Sequence, residues 1–121
     1  MILADTSVWV EHFRNGDPPF AVLLEEEEIA THEFIVGELA CGNLANRART
    51  LALLGLIQRL PSVGHEDVLA FVETHRLYGR GLGWIDMHLL AAAWHSGAKI
   101  LTLDRAMQTA AEALRLAASS L

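Results

Sequence analysis

Two short apolar runs, Ile2-Leu3-Ala4 and Lys99-Ile100-Leu101-Thr102-Leu103, each end in an aspartate, Asp5 and Asp104, and each lead into a stretch with helical spacing. No other feature of the chain limits its fold as much. Runs this short, nearly continuous in apolar residues and containing β-branched side chains, read as strands buried on both faces. Strands of that kind belong to parallel sheets covered by helices. After Asp5 come Thr6 and Ser7, both good helix caps, then Val8, Trp9, Val10 and Phe13 at helical spacing. After Asp104 the spacing predicts a helix over 105–114. Between these ends we expect a helix at about 20–26, a short strand at 29–31, a helix over 33–41 stopped by Gly42 and a longer one over about 46–60 stopped by Pro61. Two more follow, at 66–78 and at about 85–96, the last ended by Gly97. Strands alternating with helices predict an α/β fold, a small, mainly parallel sheet flanked by helices with right-handed crossovers. No linker-like or low-complexity stretch divides the sequence, so 1–121 reads as a single domain.

Composition removes several function classes. The longest unbroken apolar run is 89–94, far short of the ~20 residues a membrane helix needs. The start carries no basic region and meets Asp5 at once, so it does not read as a signal peptide. One cysteine, Cys41, closes no intramolecular disulfide and builds no Cys-rich zinc site, which fits a reducing cytoplasm. Nine Lys and Arg against fifteen Asp and Glu give a formal charge of −6, and the cations are scattered. The basic stripe of a plain nucleic-acid binder is missing. If the chain handles a polyanion, something other than side-chain charge, such as a bound divalent cation, must help to offset its own field.

Four acidic residues stand where an ionised carboxylate is costly unless paired, hydrogen-bonded or metal-bound. Asp5 and Asp104 close apolar strands, at the carboxyl edge where open α/β sheets bind ligands. Glu38 follows Phe34 by four, on the same helix face, and should point inward or toward a cleft. Asp86 is the sole acid of the apolar helix 85–94, in its first turn, where the helix dipole favours an anion. Each also has a bland reading: a cap, a dipole partner or a salt bridge. Taken together, one shared acidic cavity holding a divalent cation accounts for all four. Oxygen ligands without a His or Cys set point to Mg²⁺ or Mn²⁺, which suit phosphodiester hydrolysis by activating water and neutralising phosphoryl charge.

These residues resemble those of the PIN-domain ribonucleases, and within them the VapC-type toxins of type II toxin–antitoxin modules. Four blocks carry the likeness in order: Ala4-Asp5-Thr6-Ser7-Val8-Trp9, Gly37-Glu38-Leu39-Ala40-Cys41-Gly42, the stretch from Gly81 to Ala93 that contains Asp86, and Leu101-Thr102-Leu103-Asp104-Arg105. The resemblance implies a PIN-like three-layer fold and a Mg²⁺- or Mn²⁺-dependent endoribonuclease in which Asp5, Glu38, Asp86 and Asp104 form the catalytic metal cavity. Thr6, Ser7 and Thr102 are then candidates for orienting ligands or water, against a plain role in capping or strand packing. Arg80 and Arg105 are candidate contacts to RNA phosphate. The resemblance further implies a cytoplasmic homodimer and a cognate VapB-type antitoxin, with higher assembly when it binds; an acidic cavity would accept a basic side chain of that partner. Cys41 stands where an aliphatic residue is usual.

Other features carry less. The run Glu25-Glu26-Glu27-Glu28 reads as a solvated helix end. The loop Gly79-Arg80-Gly81-Leu82-Gly83 lacks dinucleotide-binding spacing. The six His show no ligand spacing, and Trp9, Trp84 and Trp94 read as core or dimer contacts before base-stacking platforms. Two alternatives remain open: a carboxylate-nucleophile phosphohydrolase attacking through Asp5, which has Ser7 where a second aspartate is expected, and a non-catalytic interaction module that keeps the fold.

Overall fold

The computed structural model describes residues 1–119; Ser120 and Leu121, the end of the expected domain, lie outside them. Three strands, β1 (Ile2–Ala4), β2 (Ile29–Ala30) and β3 (Lys99–Leu101), form a parallel sheet of order β2-β1-β3. Leu3 sits between Ala30 and Ile100 in register, and all three are fully buried. An internal strand covered on both faces needs continuous apolar character, which Ile2-Leu3-Ala4 supplies. Each sheet edge gains one further parallel bridge, Thr31 to Arg59 on the β2 side and Ile100 to Ala117 beyond β3.

Among the described residues seven helices flank the sheet: α1 (Thr6–Asn15), α2 (Pro18–Glu25), α3 (Glu33–Cys41), α4 (Arg47–Leu54), α5 (His65–His75), α6 (Trp84–Ser96) and α7 (Arg105–Ala113). The α/β architecture read from the sequence is the one observed. Helix α6 is central, with Met87 through Ala93 buried without interruption. A helix apolar all round belongs inside. Its run of Ala91, Ala92 and Ala93 presents little side-chain bulk where it packs beside β3. Each buried Leu of this core, such as Leu3, Leu89 and Leu90, contributes about 1.5–3 kcal/mol through burial.

Two expectations fail locally. Helix α4 ends at Leu54 instead of running to 60. Past Gly55 the chain turns, Leu56 stands 81% exposed, and the next backbone groups pair with Thr31: its N–H donates to the Gln58 carbonyl at 2.8 Å and its carbonyl accepts from Leu60 N–H at 2.9 Å. The stretch 58–60, which the expected helix would include, runs instead along an edge of the sheet, with Arg59 bridging Thr31. The cap of α1 is also displaced by one position, since Asp5 itself, not Thr6 or Ser7, is the N-cap.

Helix α3 starts at an unusual cap. His32, fully buried, accepts the Phe34 N–H on Nδ1 at 3.0 Å. An accepting Nδ1 leaves the ring proton on Nε2. That proton is donated to Ser62 Oγ at 3.2 Å, whose hydroxyl donates in turn to Glu33 Oε2 at 2.7 Å.

Candidate active site

The carboxyl ends of β1 and β3 lie side by side, with the Asp5 N–H donating to the Leu101 carbonyl at 3.1 Å. Asp5 is only 6% exposed, and its charge is met by hydrogen bonds. Oδ1 accepts from the Ser7 N–H at 3.0 Å and from the Ser7 hydroxyl; Oδ2 accepts from the buried Thr102 hydroxyl. Ser7 and Thr102 also tie Asp5 to the next strand end. Leu103 N–H donates to Ser7 Oγ at 2.9 Å and Asp104 N–H to Thr102 Oγ1 at 3.0 Å. A carboxylate has about four lone-pair sites, so these three donors leave Asp5 some acceptor capacity.

Asp104 is exposed and caps α7, accepting Met107 N–H on Oδ1 at 2.8 Å and leaving Oδ2 without a partner among the described residues. Asp86 closes a capping box at the start of α6: its Oδ2 accepts the Gly83 N–H at 2.9 Å. The Asp86 carboxyl titrates above its ordinary value. Partial burial is the main cause, the Gly83 N–H opposes it, and the charges of Asp104 and Asp5 push it further up. Three aspartates from three separate junctions, β1–α1, β3–α7 and the loop before α6, therefore share one field. They are not closed around a point: among the described residues no group of three or more His, Cys, Asp or Glu stands at ligand distance.

Of the two directions expected for Glu38, inward or toward a cleft, the first is not the one taken. Glu38 is exposed, and it sits at the rim with Oε1 accepting from the Thr6 hydroxyl at 2.8 Å. The inward stripe of α3 is Ile35 and Leu39, four apart and buried, so the Phe34–Glu38 stripe beside it falls on the flank. Thr6, next to Asp5 in the chain, links Glu38 to the aspartate group. Thr6, Ser7 and Thr102, candidates for orienting ligands or for plain capping and packing, each donate a hydroxyl to a carboxylate.

The loop before α6 lies over the start of α7. Gly81 has φ +77°, and a Cβ there would meet the Ala106 Cβ at 3.9 Å. Its backbone conformation, more than the space, requires glycine. Arg80 in this loop and Arg105 at the head of α7 are both exposed. His88, two residues past Asp86, turns away from the acids and is 5% exposed, its ring against Phe34 at 4.8 Å and Trp84 at 4.7 Å. Trp84, set aside as core or dimer contact in the sequence, stands 40% exposed at the head of α6.

The donor chemistry suits Mg²⁺ or Mn²⁺: carboxylate oxygens, each aspartate anchored by protein donors, with the like-charge pressure on Asp86 being what a cation relieves. No helix among the described residues is long and apolar enough to cross a membrane.

Comparison with known proteins gives the family of the chain. Residues 2–113 match the PIN domain family. Ribonuclease VapC32 of Mycobacterium tuberculosis is 41% identical over 111 residues, covering 91% of this chain and 90% of that protein. Ribonuclease VapC11 of the same organism and VapC ribonuclease Mb1587 of Mycobacterium bovis are each 35% identical over 133 aligned positions, 99% of this chain and 98% of theirs. Among solved structures, PAE2754 from Pyrobaculum aerophilum superposes with a TM-score of 0.66 at 18% identity, over 95% of this chain and 93% of that one, which supports the fold. The chain belongs to the PIN-domain family, and it is similar over nine-tenths or more of its length to proteins named VapC ribonucleases.

Proposed function

We propose that the protein is the toxin of a type II toxin–antitoxin pair, a cytoplasmic, single-domain endoribonuclease that hydrolyses RNA phosphodiester bonds with Mg²⁺ or Mn²⁺. The observation that carries this reading is the placement of Asp5, Asp86 and Asp104, from distant parts of the chain, each held by the fold's own donors and near enough that Asp104 and Asp5 add to the burial that raises Asp86. A carboxylate group of this kind is electrostatically unfavourable unless a cation completes it. The names of the relatives, VapC ribonucleases, support RNA as the substrate class; the partner in this reading is a VapB-type antitoxin that covers the cavity with a basic side chain, which an acidic group would accept.

Asp5, Asp86 and Asp104 would hold the ion, with Glu38 at the rim reaching it directly or through water. A bound ion supplies positive charge against the phosphoryl oxygens and lowers the pKa of a bound water toward neutrality. The chain's own part is positional. Ser7 and Thr102 fix the Asp5 carboxylate, the Gly83 N–H fixes Asp86, the α7 N-terminus fixes Asp104, and Thr6 steers Glu38. Arg80 and Arg105 flank the group from loop and helix and meet the phosphates of bound RNA. No observation favours the carboxylate-nucleophile alternative: both Asp5 oxygens already accept hydroxyls, and Ser7 occupies the position of the second acid.

The test is cleavage of total RNA by the purified, partner-free chain with Mg²⁺ or Mn²⁺, beside a chelator and beside Asp86→Asn. Discrete cuts that need both the metal and Asp86 are expected. Intact RNA in every lane, from folded protein, would leave the non-catalytic interaction module as the better reading.

A further inference from the structure

Between α1, the end of β3 and α7 lies a cavity of about 360 Å³, and contacts fix its place beside the aspartates. Thr102, on its wall, donates its hydroxyl to Asp5. Leu103, next along the wall, donates its N–H at 2.9 Å to Ser7 Oγ, the same hydroxyl that Asp5 accepts, and directly precedes Asp104. Gln108 lines the cavity one helical turn past Asp104, about 6 Å along α7. The cavity therefore starts at the braces of Asp5 and follows α7 away from its cap.

Its walls combine two chemistries. Val8, Leu101 and Leu103 are apolar, and Leu103 stands 64% exposed next to a group of carboxylates. Asp17 and Gln108 are polar, and each keeps one oxygen without a partner among the described residues. Asp17 caps α2 through Oδ1, which accepts the Phe20 N–H at 3.1 Å and leaves Oδ2. Gln108 donates its amide nitrogen to Glu112 Oε1 at 2.9 Å, the one orientation a carboxylate partner allows, which leaves Oε1. Both spare atoms are acceptors, so the cavity suits a ligand with apolar faces and N–H donors on its edge.

An RNA strand presented to the aspartates carries such a group beside its phosphate. An unpaired base has apolar faces and a hydrogen-bonding edge that proteins read directly. Adenine, cytosine and guanine carry an exocyclic amine there, whereas uracil has carbonyl oxygens in its place. Resting on the ribonuclease reading above, we infer that the cavity holds an unpaired base next to the phosphodiester presented to Asp5, Asp86 and Asp104. Leu103 meets its face, and Asp17 and Gln108 accept from its edge, so amine-bearing bases are taken in preference to uracil.

Asp17→Asn is the telling variant, because asparagine still caps α2 through Oδ1 and turns the spare acceptor into a donor. Total RNA is cut by the parent and by this variant, and the ends are sequenced. Uracil should be depleted at one fixed position beside the parent's cuts. In Asp17→Asn the ratio of uracil to amine-bearing bases at that position should rise about fivefold or more, and Gln108→Met, which only loses its acceptor, should flatten the preference without inverting it. The second measurement needs no turnover. In an Asp86→Asn background with Mg²⁺, labelled twelve-nucleotide RNA of cytosine alone should bind about fivefold tighter than RNA of uracil alone, read by fluorescence anisotropy, and Asp17→Asn should reverse the order. Base frequencies that do not differ between the parent and Asp17→Asn, or equal affinity for the two RNAs, overturn the inference and leave the nuclease reading intact. Unchanged frequencies with a loss of dimer mass in light scattering assign the cavity to a second copy, and also overturn it. If Asp17→Asn fails to fold, Gln108→Met and the cytosine–uracil pair decide. A cytosine preference that follows Asp17, with no cleavage by the unmodified chain, would retire the nuclease reading and keep the base pocket.

Discussion

Replacing Thr102 by Val tests whether hydroxyl donors hold the acidic group together. Thr102 is 8% exposed, and its hydroxyl donates to Asp5 Oδ2 while accepting the Asp104 N–H. Valine keeps the shape and removes both bonds. A hydrogen bond to a charged group is worth about 1.5–3 kcal/mol and a neutral one about 0.5–1.5 kcal/mol. Asp5 Oδ2 has no other donor among the described residues and lies in a carboxyl group only 6% exposed, so water replaces the lost bond poorly. The expected loss is about 2–4 kcal/mol, or roughly 8–16 °C in Tm for a domain of this size. The assay is urea denaturation in chelator, where the midpoint should fall with an unchanged slope. Thr102→Ser, which restores the hydroxyl, should recover more than half of the loss. Thr102→Val within about 0.5 kcal/mol of the parent, below the weakest hydrogen bond in this ledger, would refute the account.

Two further predictions concern pH. The Asp86 carboxyl titrates above its ordinary 3.8, chiefly through burial and then through Asp104 and Asp5, so the folded state binds a proton that the unfolded state has released. Stability at this group therefore falls as pH rises from 3.8 through the folded value, and Asp86→Asn should be more stable than the parent in chelator at pH 7, an advantage that fades in thermal scans as pH drops toward 3.8. Higher stability with lost cleavage is the expected combination; lower stability at pH 7 would count against the field described. His32 has the opposite sign. Burial holds it below 6.5, with His88 and Arg59 acting the same way and Glu33 against, so stability present above pH 6.5 is lost as pH falls through the lower folded value. His32→Asn keeps a good capping acceptor without the titration, and denaturation midpoints measured between pH 7 and 5 should decline less steeply than in the parent.

Local chemistry was legible and long-range pairing was not. Glu33–Cys41 is bounded by Gly42 and runs as its spacing says, and Asp5 and Asp104 stand at strand-to-helix junctions because apolar runs with β-branched residues announce buried strands. The over-long helix through 60 failed because Leu53, Leu54, Leu56 and Ile57 satisfy helical spacing, while the deciding bonds join Gln58 and Leu60 to Thr31, out of any local window. The same limit hid the site's braces. Thr102 and Ser7 read equally well as packing or caps until the sheet set β3 beside β1, and Trp84 read as core because His65, one of the rings that prop it outward, arrives from another helix. The exposure of Glu38 was within reach: Ile35 and Leu39 alone make a sufficient inward stripe for a nine-residue helix.

The hydroxyls and backbone donors explain how an acidic site survives in a small fold before any cation reaches it. Asp5 is the most buried of the four acids and the one with the most donors, three of them, all from groups that are part of the fold. Asp104 and Asp86 each spend one oxygen on a helix N-terminus, where an anion is stabilised by about 0.3–1 kcal/mol near the surface. Asp86 nevertheless titrates high, through burial first and then through Asp104 and Asp5, so the Gly83 N–H does not cancel these effects; they fall on a half-buried group whose protonation can vary without opening the sheet. The division follows from position. Asp5 stands at the end of the central strand, where an unmet charge would cost the core, whereas Asp86 lies in the first turn of α6, against the N–H of Gly83, and can bear the imbalance. It is therefore at Asp86 that charge relief by a cation and the chemistry of the site should be felt most strongly.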